Sequence, residues 1–302
     1  MLTLQPLVAA LGGDLYDGGR RANAPAPGHS ASDRSVSLML SGDRVVIHCF
    51  GGVDWRTVRA HLEDKRLIDG AGRLIGAGPA RPRAPRARPD RTDRIAAARR
   101  LWDEAVPIGR ASLSRRHLEG RAIRQDPETL QALRHHPAVP IAVYRDCVTR
   151  RPALVAAITA PGGALTAVEV TYLAPNGRRD HGLRLSRKTV GVVPPGSAVR
   201  LARASSDLVV GEGVMTVLSA ADRYGLPGWA LLSANNLAAW RPPPETRRVV
   251  VAADRGAVGE AAAGRLVERL AGFGVRGVLA LPPAGAGDWN AVAAAESREE
   301  GG

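Results

Sequence analysis

The sequence predicts an α/β protein whose C-terminal third holds an open parallel sheet of about four strands with flanking helices. Three observations predict it. Between Asp207 and Ala291, short apolar runs (Leu208–Val210, Trp229–Leu232, Val249–Val251 and Val275–Leu281) alternate with helix-like segments. Alternation of that kind implies right-handed βαβ units with both sheet faces covered. Two of the runs lead into an acidic residue beside glycine or arginine, DLVVGEG at Glu212 and VVVAADRG at Asp254, and Asp288 lies in the loop after the last run. Ligands of such sheets bind outside the carboxyl ends of the strands, so these acids should converge there. Converging carboxylates raise one another's pKa, and a hard divalent cation relieves the repulsion. Taken singly, each acid reads equally well as a solvated loop residue or a helix N-cap.

The pattern of the three resembles the Toprim domain, the metal-dependent catalytic fold shared by bacterial-type primases, topoisomerases and some nucleases. GEG around Glu212 resembles its first motif, AAD at Asp254 the start of its Asp-x-Asp motif, and GDWN at Asp288–Asn290 the downstream acidic motif of the plasmid and phage primase-like branch. The resemblance implies that Glu212, Asp254 and Asp288 hold Mg²⁺ (or Mn²⁺) and carry catalysis. Glu212 would serve as metal ligand or as general base for an attacking 3′-hydroxyl. The chain departs from the pattern at the second aspartate of Asp-x-Asp, where Gly256 stands after Arg255, and at Ala291, a place that is often acidic. Aspartate is a good N-cap at a strand-to-helix turn. Gly256→Asp is therefore expected to fold and to bind divalent metal more tightly.

Residues 1–76 read as a small domain. An apolar helical pattern, Leu4–Leu11, precedes Gly-rich turns; Val36–Leu40 and Val45–Cys49 flank SGDR as a β-hairpin; Trp55–Leu62 reads as a helix. This resembles the zinc-ribbon domain at the N-terminus of bacterial replicative primases, in degenerate form. Ala26, His29, Cys49 and Gly52 occupy its four ligand places. A structural zinc site needs four N or S ligands, so zinc is not expected. His29 reads otherwise as an exposed turn residue and Cys49 as a small buried hydrophobe.

Residues 77–92 form a Pro/Arg-rich linker, where alternate prolines exclude a helix or a central strand. Residues 93–137 read as a helical basic region, with SRRHLEGRAI resembling the family's arginine-bearing helix and turn; its polar face reads as solvated or as DNA-facing. Residues 138–204 return to strand patterns (Ile141–Tyr144, Ala153–Thr159, Ala164–Leu173 and Val199–Ala202), and residues 205–296 carry the Toprim pattern. TYLAPNGRRDHGLRLSRKTVG resembles the primase segment that brings basic residues toward the active site. It implies that Arg178, Arg179, Arg184, Arg187 and Lys188 contact nucleic acid and that Lys188 neutralises phosphate charge in catalysis.

The net charge of +13 is carried almost wholly by arginine, since Lys65 and Lys188 are the only lysines. From Pro79 to Arg124 there are 13 Arg against 5 acids, but from Ser205 to Gly302 there are 9 Arg against 11 acids. The basic surface therefore lies outside the acid-bearing fold, and phosphate backbones are its natural partner. Two cysteines, Cys49 and Cys147, make no disulfide framework, and no apolar run approaches the length of a membrane span. The N-terminus lacks a signal-peptide pattern, so a cytoplasmic protein is expected.

Together these features predict a primase-like nucleotidyltransferase that takes single-stranded DNA and nucleoside triphosphates in the replication of a plasmid, phage or mobile element. A catalytically weakened or inactive nucleic-acid-binding protein is the alternative. No Gly-x-x-x-x-Gly-Lys-Ser/Thr motif is present, so any replicative helicase would be a separate protein. The four tyrosines sit in no topoisomerase-like context.

Overall fold

The computed structural model describes residues 2–30, 33–50, 53–75, 89–183 and 185–300, which divide into two units, 1–87 and 88–302. In the first unit, α1 (Gln5–Leu11) precedes the antiparallel strands β1 (Asp14–Tyr16), β2 (Arg21–Ala24), β3 (Val36–Ser41) and β4 (Arg44–Cys49), and α2 (Trp55–Asp64) follows. Alternation in β3 sends Val36, Leu38 and Leu40 inward against Leu4, Leu7, Val58 and Leu62. Asp54 caps α2 by accepting from the Arg56 amide (3.0 Å). Of the four zinc-ribbon places, Ala26 is buried and His29 pairs with Asp33 (3.0 Å). Cys49 packs beside the core, where burial raises its thiol pKa. Gly52 lies outside the described residues.

The second unit begins with α3 (Arg91–Asp103), capped by Asp90 on the Asp93 amide (2.7 Å), and α4 (Leu113–Glu119), capped by Ser112 on the Arg115 amide (3.2 Å). An antiparallel sheet follows in the order β5 (Leu133–Pro140), β6 (Arg150–Thr159), β7 (Leu165–Tyr172) and β8 (Arg187–Gly191). Two sequence expectations fail here. The helical reading of residues 93–137 holds only to Glu119; Pro127 opens a single 3-10 turn, and the segment after it is β5. Its prolines, Pro137 and Pro140, cannot sit in a helix interior, whereas a strand with a break in register between His136 and Val139 accommodates them. The expected strand Ile141–Tyr144 is loop, because Pro140 ends β5 one residue earlier.

The remainder is β9 (Val199–Arg200), β10 (Asp207–Gly211), α5 (Val214–Tyr224), β11 (Gly228–Ala230), α6 (Ala234–Ala239), β12 (Arg248–Ala252), α7 (Ala257–Ala271), β13 (Arg276–Ala280) and α8 (Trp289–Glu300). The sheet order is β13-β12-β10-β11-β9, with four parallel strands as the sequence predicts and β9 added antiparallel at one edge.

The β5–β8 sheet has two buried faces. Ala153, Val155, Val168, Val170 and Tyr172 pack under Ala97, Ala98 and Leu101 of α3. The opposite face, with Leu133, Leu154, Ala156 and Ile158, shares one core with Leu118 of α4 and with Val209, Val217, Val250 and Trp289. That continuous core holds the arginine-rich region rigidly against the parallel sheet. No helix among the described residues is long and apolar enough to cross a membrane.

Candidate functional site

A cleft of about 710 Å³ opens where the two sheets of the second unit meet, at the carboxyl ends of the parallel strands. Glu212, Asp254 and Asp288 all line it. Glu212 leaves β10 between two glycines. A Cβ on Gly211 would lie 2.6 Å from the Ala252 carbonyl oxygen, so the close approach of β12 requires glycine there. Asp254 follows β12. Asp288 precedes α8 and caps it, one carboxylate oxygen accepting from the Ala291 amide (2.6 Å). The N-cap reading and the site reading of Asp288 thus hold together: one oxygen serves the helix, and the residue still faces the cleft.

The acids feel one another in a chain. Burial, then Asp254, raises the Glu212 pKa, and the Ala234 amide opposes this. Burial, then Asp288, raises that of Asp254; the Thr216 hydroxyl (3.3 Å) and Arg187 draw it down. Leu232, which also lines the cleft, donates its amide to the Glu212 carbonyl (2.9 Å) from a backbone φ of 74°. A non-glycine residue at positive φ is strained, and such strain is tolerated where the surroundings over-determine it.

The opposing wall is cationic. Arg178, Arg179 and Arg187 line it, and Arg184 lies outside the described residues. Arg116 and Arg121, from α4 and the turn after it, complete it. Burial lowers the Arg121 pKa and Arg179 and Arg187 add repulsion, while Asp288 opposes both; the guanidinium stays charged throughout. Glu169 sits behind Arg187 (3.9 Å), its pKa raised by burial and drawn down by Arg187 and Arg179. His117 is buried and donates from Nδ1 to the Gly177 carbonyl (3.0 Å), which ties α4 to the Arg178–Arg179 loop.

Lys188 is not in the cleft, and its expected role beside the acids is corrected. Register pairs Thr171 with Arg187 and Val170 with Lys188. Thr171 faces the cleft and Val170 faces α3, so adjacent Arg187 and Lys188 point to opposite sides of β8. Lys188 Nζ instead donates to the Ile141 carbonyl (3.0 Å) and lies 5.0 Å from the Tyr172 ring centre; burial lowers its pKa to about 8.

Arg116, Arg121, His117 and Glu169 were not singled out as site residues from the sequence. Glu169 and Thr171 had a signal, since the alternation VEVTY sets both on one polar stripe of an otherwise apolar strand.

At the Asp-x-Asp place, Gly256 has φ 124° and ψ 151°, a conformation that side-chain-bearing residues rarely adopt. The expectation that aspartate would be tolerated there is therefore overturned: the turn is built for glycine. Arg255 does different work. Its Nε and one Nη donate to the Pro282 carbonyl (2.9 and 2.7 Å), and its amide donates to the Gly287 carbonyl (2.7 Å). It thereby ties the turn after Asp254 to the loop that carries Asp288.

The donor set is acidic and all-oxygen, of the kind Mg²⁺ or Mn²⁺ takes, and the raised pKa values of Glu212 and Asp254 are those of carboxylates that a cation would stabilise. Among the described residues, no group of three His, Cys, Asp or Glu is close enough to hold a metal alone. The residues present fit a hard cation that keeps water or takes phosphate oxygens beside them.

Residues 207–299 match the family model described as Toprim domain, and residues 92–201 match one described as Domain of unknown function (DUF7146). The C-terminal part of the chain is thus a Toprim domain. Solved structures with similar chains include the Aquifex aeolicus primase, zinc-binding and RNA polymerase domains (17% identity, 99% of this chain, 82% of that chain, TM-score 0.46). The RNA polymerase domain of Mycobacterium tuberculosis primase DnaG is another (16%, 70% and 83%, TM-score 0.43), as is the primase fragment of the bacteriophage T7 primase-helicase (17%, 60% and 68%, TM-score 0.39). No curated protein matches the chain.

Proposed function

We propose that this chain, with its C-terminal Toprim domain, is a primase-like nucleotidyltransferase that joins nucleotides on a single-stranded DNA template with the help of a divalent cation. The observation that carries this reading is the meeting of Glu212, Asp254 and Asp288 with Arg116, Arg121, Arg178, Arg179 and Arg187 in one cleft. A triphosphate and a template backbone are polyanions, and guanidinium forks match their oxygens. Mg²⁺ or Mn²⁺ held by Asp254 and Asp288, with Glu212 either as a further ligand or as the base, would supply neutralisation of the charge that develops in phosphoryl transfer.

The remaining roles belong to the chain. The arginines bind and orient phosphates. Glu169 holds the direction of Arg187. The Thr216 hydroxyl orients Asp254. Glu212, with its raised pKa, is suited to take the proton of an attacking hydroxyl.

Gly256 and the loose grouping of the acids favour a second reading, a Toprim protein that binds nucleic acid without catalysis. Primer synthesis from labelled nucleoside triphosphates on single-stranded DNA, followed across a Mg²⁺ and Mn²⁺ titration, separates the two. Under the first reading, product appears with metal, and Glu212→Gln abolishes it while leaving the melting temperature unchanged or higher, because a repelled carboxylate has been neutralised. DNA binding with no product at any metal concentration selects the second.

A further inference from the structure

A groove of about 1120 Å³, larger than the cleft, lies elsewhere on the second unit. Its position follows from register. β9 runs antiparallel to β11, with Arg200 opposite Trp229, and the Leu201 amide donates to the Gly228 carbonyl (3.1 Å). Residues 202–204 therefore pass the amino-terminal end of β11, whereas Glu212 and Asp254 follow the carboxyl ends of β10 and β12. The groove and the acids lie at opposite ends of one sheet.

The groove is built around fixed positive charge. The Arg200 guanidinium stacks on Trp229, 4.7 Å from the ring centre, and one Nη donates to the Ala160 and Pro161 carbonyls (3.1 and 2.8 Å). Its Nε is buried without a partner. Trp229 is in turn held by its indole N–H on the Ala202 carbonyl (2.9 Å). Arg203 and Arg241 flank it, both exposed, and among the described residues Glu245 is the only acid in the lining. Among the described residues, no carboxylate forms an ion pair with any of these arginines. An arginine whose orientation is already set loses little entropy when it takes an anion. Proline rings, Pro161 and Pro242–Pro244, supply flat rigid walls between the charges.

We infer that this groove is a second site for single-stranded nucleic acid, taking the sugar–phosphate backbone of a strand on Arg200, Arg203 and Arg241. Phosphates regularly spaced along a strand match separated guanidiniums, and bases pack on proline faces and guanidinium planes. The inference rests on the reading that the chain binds single strands, and it gives that strand a path beyond the cleft.

The test uses the full-length chain and a fluorescein-labelled oligothymidylate, with anisotropy measured over a range of salt. The double variant Arg203→Glu/Arg241→Glu is compared with Arg265→Glu/Arg276→Glu, which changes net charge equally at exposed arginines outside the groove. The groove variant is expected to bind about tenfold more weakly near physiological salt, with a log–log salt slope shallower by about 1.4, the loss of two phosphate contacts on a single strand. The control should shift binding by much less. Equal effects of the two variants, with wild type binding normally, overturn this inference and leave the proposed function standing. Absence of binding by wild type overturns both. Loss of binding to a polyglutamate peptide with retention of the oligonucleotide overturns it in favour of an acidic protein partner.

Discussion

Gly256 combines φ 124° with ψ 151°, and no heavy atom stands within 4 Å of where its Cβ would be. Space is thus no obstacle to a side chain; backbone strain is, at about 1–3 kcal/mol. Gly256→Asp is expected to lower the melting temperature by the same amount as Gly256→Ala and to leave Mn²⁺ affinity no tighter than wild type. Scanning calorimetry and isothermal titration of the three proteins check this; an aspartate variant that keeps its stability and binds Mn²⁺ more tightly would show that the turn can re-form around a further carboxylate. Buried and half-buried histidines set a second residue-scale expectation. Burial lowers the pKa of His117, His135 and His136 below 6.5. For His136, the Ala138 amide donates to Nδ1 (3.1 Å), so Nε2 carries the proton toward Glu104 (3.3 Å). The unfolded chain binds more protons than the native one in this range, so this stability is present above pH 6.5 and is lost as pH falls through the lowered values. The raised carboxylates Glu169, Glu212 and Asp254 act in the opposite sense, their cost growing as pH rises from the ordinary carboxylate range. In a variant carrying Glu169→Gln, Glu212→Gln and Asp254→Asn, which removes the opposing carboxylates, melting temperature should therefore fall as pH goes from about 7 to 5; a flat profile in that variant would mean that the three rings are solvated.

At the scale of elements, the loop between β13 and α8 delivers Asp288, and its anchors are unequal. Trp289 donates to the Ala280 carbonyl (3.2 Å), and the buried Asn290 donates to the Arg121 carbonyl (2.6 Å) and the Ser219 hydroxyl (2.9 Å). These fix the start of α8. The rest of the loop is held by Arg255 through the Pro282 and Gly287 carbonyls. Arg255→Ala is expected to speed amide exchange in residues 284–288 while β12 stays protected, and to weaken Mn²⁺ binding several-fold with little loss of global stability. Partial restoration by added guanidinium would separate loss of the tether from general damage. Exchange unchanged in the loop would assign its order to α8 alone.

At the scale of the whole molecule, the acid-bearing sheet does not stand apart from the basic region. One core runs through Ile108, Leu118, Leu154, Ile158, Val209, Val250 and Val292, and β9 belongs to the five-stranded sheet although it precedes Asp207. A fragment starting at Ser205 would expose that face and remove an edge strand, so it is expected to aggregate or melt without cooperativity. A fragment of residues 88–302 keeps its own cores and should unfold in one transition. Circular dichroism melts of the two fragments check this; a cooperative 205–302 fragment would mean that the shared core contributes little to the Toprim fold.

By itself the sequence determined the elements whose signals are local. The four parallel strands and the acids that follow them are legible because side-chain period acts within a few residues. Tertiary structure decided what depends on partners. Whether Arg187 or Lys188 faces the acids is a matter of register against β7, and a shift of one residue reverses it. β5 looked helical until β6 supplied its hydrogen bonds. Glu169 and Arg121 became site residues only when the shared core pressed their elements against the Toprim sheet. The meaning of Gly256 lay in its backbone angles, which a missing side chain announces but cannot specify.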